Sequence, residues 1–130
     1  MSLYNPPMHE NFVPGYQVSA VPYVTASQIS LGETQTHTFS FVTRFFNVKN
    51  RGATAADVIV VSFTENGLTT GNYFTLEQGE SFRDEIRCTS LFVSCSNGSN
   101  VDYEIVAGLT SIPARNMLLI TGSNGYEGVG

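Results

Sequence analysis

The sequence predicts an all-β chain: a single-domain antiparallel β-sandwich, jelly-roll-like, with about eight strands and an extended arm at each end. Three observations carry this. Between Asn72 and Leu109 apolar residues recur at alternate positions. Leu91, Val93 and Cys95 share one parity, as do Val101, Tyr103, Ile105, Ala107 and Leu109, the period of a strand with one buried face. Nine Phe, six Tyr, 12 Gly and no Trp suit strands joined by tight turns. Turn signals at Asn50-Arg51-Gly52, Glu65-Asn66-Gly67 and Gln78-Gly79 divide the chain into short segments at near-regular spacing. With 130 residues the chain has the size of one domain and can bury a core without staples.

Residues 1–15 contain Pro6, Pro7 and Pro14. These fix φ and remove amide donors, so this segment is expected to be an extended arm. It carries Leu3, Tyr4, Met8, Phe12 and Val13, too much apolar surface for a purely solvated tail. Those side chains are candidate subunit contacts, and folding back over their own domain would use the same groups.

The sandwich is expected over residues 16–120. Tyr16 to Thr25 reads as a first strand, demoted to an edge or a strand end by Pro22, and Gln28 to Gly32 as a connection. Thr36 to Lys49 reads as one strand, with Phe39, Phe41 and Phe45 on one parity and Val42, Phe46 and Val48 on the other. That pattern implies burial on both sides or a bulge near Arg44.

Asp57 to Thr64 follows as a central strand with Ile59, Val61 and Phe63 inward. Thr64 to Asn72 is rich in small polar groups and reads as a loop, and Tyr73, Phe74 and Leu76 form a short strand. Phe82, Ile86 and Cys88 then share a parity, with Asp84 anomalous on the same face, at a rim or paired with Arg44. Asn97-Gly98 marks a tight turn. The strand pattern pauses at Pro113 and resumes from Met117 to Ile120. Residues 121–130, half of them Gly or Asn, are expected to be a second arm with little intrinsic order, and Tyr126 and Val129 are its candidate contacts.

Few residues carry the chemistry of an enzyme. Nucleophilic catalysis needs a base held by a third group, and the two histidines, His9 and His37, stand in no such context. Two cysteines and two distant histidines do not make a zinc site. Cys88 and Cys95 lie an odd number apart, which sends them to opposite faces unless a turn near Thr89-Ser90 resets the parity. Asp84 and Glu85 are neighbours in a strand and diverge, so they do not form the paired carboxylates of a glycosidase. No cofactor is expected.

A net charge of −5, with 13% charged residues, gives little field for phosphate, so no nucleic-acid partner is expected. No run is long and apolar enough to span a membrane, and the N-terminus lacks a signal-peptide pattern. The expectation is synthesis in a reducing cytosol.

Several segments resemble small capsid-associated β-sandwich proteins (decoration, cement, minor capsid or fibre proteins) of tailed phages and large DNA viruses. The resemblance lies in SFTENG at 62–67, NYFTLEQGESF at 72–82, RCTSLFVS at 87–94 and VDYEIVAGLTSIP at 101–113. It implies a structural virion protein, made in the host cytoplasm, that decorates or cements a capsid. Its expected partners are itself, as a homo-oligomer with a trimer favoured, and the major capsid protein or other virion subunits. The alternative is a carbohydrate- or receptor-binding module of a viral fibre, with Glu65, Asn66, Thr69, Thr70, Asn72 and Tyr73 as the candidate ligand loop.

Overall fold

A computed structural model describes residues 21–130. Eight strands run in order: β1 (Val21–Ile29), β2 (Thr34–Thr38), β3 (Phe41–Asn50), β4 (Val58–Ser62), β5 (Phe74–Leu76), β6 (Ser81–Asp84), β7 (Ser90–Asn97) and β8 (Val101–Pro113), with one short helix, α1 (Glu65–Thr70), between β4 and β5. They form two four-stranded sheets of order β1-β8-β3-β6 and β2-β7-β4-β5. Every named strand pair is antiparallel. The pairs β4·β5, β3·β6, β2·β7 and β1·β8 are nested one inside the next. The chain is thus a long hairpin rolled into two layers, closed by the contacts of β3 with β8 and of β4 with β7.

The alternation read from the sequence sets the core. Tyr103, Ile105, Phe46 and Val48 from one sheet meet Leu91, Val93, Ile59 and Val61 from the other, all buried. Thr36 to Lys49 is not one strand. The chain leaves the second sheet after Thr38 and enters the first at Phe41. Both parities of Phe and Val lie within β3, where Val42, Phe46 and Val48 are buried and Phe41 and Phe45 on the other face half-buried, while Phe39 is buried at the crossing between the sheets. The expected irregularity near Arg44 is present, with the β3 register on β8 shifting on either side of Thr43.

β1 continues through Ile29, past the expected connection at Gln28. The Gln28 carbonyl accepts from Gln35 Nε2 at 2.8 Å, and the Asp102 carbonyl opposite it accepts from the Arg51 amide at 2.7 Å. Gln28 and Asp102 thus turn their backbone groups away from each other, and by the two-residue period Pro22, Val24 and Ala26 also face away from β8. Pro22 sits where its missing N–H interrupts no ladder bond, as an edge strand permits.

Three other expectations differ. The segment from Thr64 to Asn72 is not an open loop: Thr64 caps α1, accepting from the Gly67 amide at 2.9 Å, and Gly71 ends it in the left-handed region at φ 86°. Met117 to Ile120 forms no strand, because β8 runs on to Pro113 and a 3-10 turn at Ala114–Asn116 redirects the chain. Asp84 is exposed at the end of β6, its carboxylate accepting from the Glu85 amide at 2.7 Å. Arg44 pairs with Glu85 instead, at 3.3 Å. β6 stops at Asp84, so Ile86 and Cys88 lie on irregular chain, and both Cys88 and Cys95 end up buried as free thiols.

Candidate functional site

The candidate ligand residues fall into two groups. Glu65 and Asn66 open α1 at the rim of a cavity of ≈ 400 Å³ that lies where the ends of β4 and β7 meet the segment after Leu119. Phe63, Phe92, Leu119 and Ile120 supply its apolar walls, and Thr64, Ser90, Thr121 and Ser123 its hydroxyls. Asn72 and Tyr73 lie in a second, shallower hollow of ≈ 320 Å³ with Phe63, Phe74 and Gly128. Thr69 and Thr70 line neither. Their hydroxyls donate back to the Asn66 carbonyl at 2.9 and 3.0 Å, the habit of such residues inside a helix.

Phe92 is the wall that the sequence reading passed over. With Leu91, Val93 and Cys95 inward, the outward set of β7 is Ser90, Phe92, Ser94 and Ser96. A single aromatic among three serines is the signal that marks it.

Residues 121–130 turn back on themselves beside α1. The Gly122 amide donates to the Gly130 carbonyl at 2.8 Å, and the Thr64 hydroxyl donates to the Val129 carbonyl. Tyr126 is partly exposed. Leu3, Tyr4, Met8, Phe12, Val13 and His9 lie outside the described residues.

A second cluster of polar groups lies between the sheets at the β1 and β2 edges. Tyr103 donates its hydroxyl proton to Gln35 Oε1, which also accepts from Ser27 at 2.9 Å. Tyr103 therefore accepts from His37 Nε2 at 2.6 Å, and His37 Nδ1 accepts from Tyr23 at 3.3 Å. This chain of bonds assigns His37 the neutral Nε2–H tautomer. Burial holds its pKa below the usual 6.5 and pushes the Tyr103 phenol up to about 12. β6, which carries Asp84, is the far edge of the first sheet from β1, so His37 and the Asp84–Glu85 pair stand on opposite sides of the sandwich.

Among the described residues no cluster of His, Cys, Asp or Glu could hold a metal ion, and no helix is long and apolar enough to cross a membrane. No family model matches the sequence, and no curated protein does. Among solved structures the chain is similar to a de novo designed double-stranded β-helix, studied by solution NMR. The TM-score is 0.45 and the identity 14%, over 65% of this chain and 97% of that one.

Proposed function

We propose that the chain is a structural, non-enzymatic subunit of a virus particle, a jelly-roll sandwich that decorates or cements a capsid by surface and arm contacts. The observation that carries this reading is where the exposed apolar residues lie. Val21 enters β1 opposite Leu109, near the end of β8, and Leu118 and Leu119 follow that strand after one turn. Val24, Leu118 and Leu119 are 71, 63 and 67% exposed, and Val21 is 41% exposed.

Exposed apolar side chains thus follow β1 from Val21 through Val24 to Leu31, 61% exposed just past its far end, and recur at Leu118 and Leu119, beside the point where twenty residues with an apolar load of their own join the fold. Large side chains gathered in this way mark a contact surface. β1 reinforces it, because VPYVTASQI has no charge to discourage pairing along the edge that no other described strand covers. The nested strand pairing supports the jelly-roll description, in which two Greek keys make a sandwich.

The partners proposed are copies of this chain, in a closed assembly with a trimer favoured, and the major capsid protein. The site of action is the virion. The test is co-sedimentation with purified capsids alongside the mass of the free protein in solution. Binding to the shell by an oligomeric species is expected. A protein that stays monomeric at high concentration and leaves capsids in the supernatant overturns the reading.

A further inference from the structure

We propose that the cavity between β4, β7 and α1 is a binding site for a neutral saccharide. This goes beyond the structural reading above and does not depend on it. The charge around the cavity excludes anionic ligands. Among the described residues Glu65 is its only charged lining side chain, so a phosphate, sulfate or carboxylate would meet a negative group and no positive one. Its volume of ≈ 400 Å³ is at the small end for a ligand site, which spans about 300–1,000 Å³, and suits sugar rings.

The hydrogen-bonding groups narrow the ligand further. The Thr64 hydroxyl is taken up by the Gly67 amide and the Val129 carbonyl, and the hydroxyls of Thr121 and Ser123 bond each other at 3.0 Å. The side chains of Glu65, Asn66, Thr89 and Ser90 make no hydrogen bond among the described residues. They leave a carboxylate, an amide and two hydroxyls free beside the apolar Phe63, Phe92, Leu119 and Ile120. A purely apolar ligand would strip water from these groups and return nothing. A pyranose ring satisfies both sets, because its hydroxyls lie around a rim and its C–H bonds make an apolar face that stacks on an aromatic ring. Phe63 is set in place for this by the buried Phe46, whose ring meets it edge-on at 5.8 Å.

The sheet face beside the cavity has the same character. Phe92 is flanked by Thr36 on β2 and Ser62 on β4, and Ser90 by Thr38. Thr34, Thr36 and Thr38 are exposed. β2, β4, β5 and β7 contain no Asp, Glu, Lys or Arg. The outward face of the other sheet carries Lys49, Arg83, Asp102 and Glu104. A saccharide chain leaving the cavity past Ser90 and Phe92 therefore crosses hydroxyls and meets no fixed charge on these strands.

The test uses the full-length protein. Saturation-transfer NMR with the methyl glycosides of glucose, galactose, mannose and N-acetylglucosamine reads contact with single sugars, and a printed panel of neutral and acidic glycans reads longer chains. At least one neutral sugar is expected to receive saturation, most strongly at the C–H protons of one ring face, and longer neutral chains to be held better than single sugars. Phe92→Ala is expected to weaken binding about tenfold and Glu65→Gln about fivefold, with thermal melts to show that each variant is folded. Glu65 is exposed, so its variant keeps the test intact should Phe92→Ala unfold the domain. Arg83→Ser, on the other sheet, is expected to leave binding unchanged. Failure to bind any neutral glycan, retention of acidic glycans alone, or binding unchanged in both cavity variants overturns the inference. Co-sedimentation with capsids does not depend on these outcomes, so the structural reading stands or falls separately.

Discussion

His37 Nε2 lies 2.6 Å from the Tyr103 hydroxyl, a bond that ties the edge strand of one sheet to the second strand of the other. Its energetic consequence depends on pH. Burial lowers the His37 pKa, so the unfolded chain takes up a proton as pH falls through 6.5 while the folded chain takes it up only at lower pH. Stability is therefore complete above that value and declines below it, by at most about 1.4 kcal/mol per pH unit from this group. Urea midpoints at pH 7.5 and 5.5 should show the decline, and His37→Gln should flatten it. An unchanged slope in the variant would exclude His37 as the titrating group.

The Thr43 hydroxyl donates to the Ile86 carbonyl at 2.7 Å and accepts from the Cys88 amide at 2.9 Å, fixing irregular chain against the register shift of β3. Thr43→Val keeps the shape and leaves a buried amide without its partner. A loss of about 1–3 kcal/mol is expected in chemical denaturation.

Cys88 is fully buried, and burial pushes its thiol up to about 11. The thiolate is the reactive form, so at pH 8 alkylation of Cys88 should proceed only as fast as the protein opens. Mass spectrometry of peptides after timed iodoacetamide treatment, with and without urea, checks this. Rapid labelling of Cys88 in the native protein would contradict the packing around it.

Asn50, wholly buried, joins the β3–β4 connection to the end of β5 through one side chain. Its Nδ2 donates to the carbonyls of Asp57 and Leu76, both at 2.9 Å, and its Oδ1 accepts from the Gly52 amide at 2.7 Å. Asn50→Asp turns an acceptor toward two carbonyls, and a loss of about 2–4 kcal/mol is expected. The thermal midpoint should drop by many degrees.

Gly67 has no room for a side chain. A Cβ there would run into the Ser62 hydroxyl and lie 2.9 Å from both the Asn72 carbonyl and Thr64 Oγ1. Gly67→Ala should loosen α1 and, through Thr64, the segment that ends at Val129 and Gly130. Limited proteolysis should cut residues 121–130 faster in the variant at equal global stability.

The strands that alternate cleanly were legible from the sequence, because one buried face leaves a period of two. Val101 to Leu109 and Leu91 to Cys95 are such cases. Phe39 to Val48 was not, since the crossing between sheets at Phe39 and Ser40 falls inside one apolar run and β3 keeps half-buried Phe41 and Phe45 on the face opposite the buried Val42, Phe46 and Val48. The helix at Glu65 was hidden by its length. Six residues are too few for a 3.6-residue period to show, and only the Thr64 cap and the Gly71 stop, seven positions apart, mark it. Local composition marked Glu65 and Asn66 only as part of a polar loop, and their position at the cavity rim comes from the folded chain. Phe92 and Ile120, which complete the cavity, come from distant parts of the chain and meet only through tertiary packing. His37 read as an ordinary strand residue because Tyr103 and Gln35, which define its surroundings, are neighbours only across the sandwich.

The nesting of the strand pairs also orders events in time. Ser62 and Asn72, beside the innermost pair, are 10 positions apart, whereas Gln28 and Asp102, on the outermost, are 74 apart. Closing the longer span costs more chain entropy and gains nothing until the inner turns are in place. Loop-closure entropy therefore favours winding the roll from its middle outward, with β1 laid down last. If copies join along β1, as proposed, the docking face would be finished only when the body behind it is already rigid, which would keep half-made copies out of the assembly.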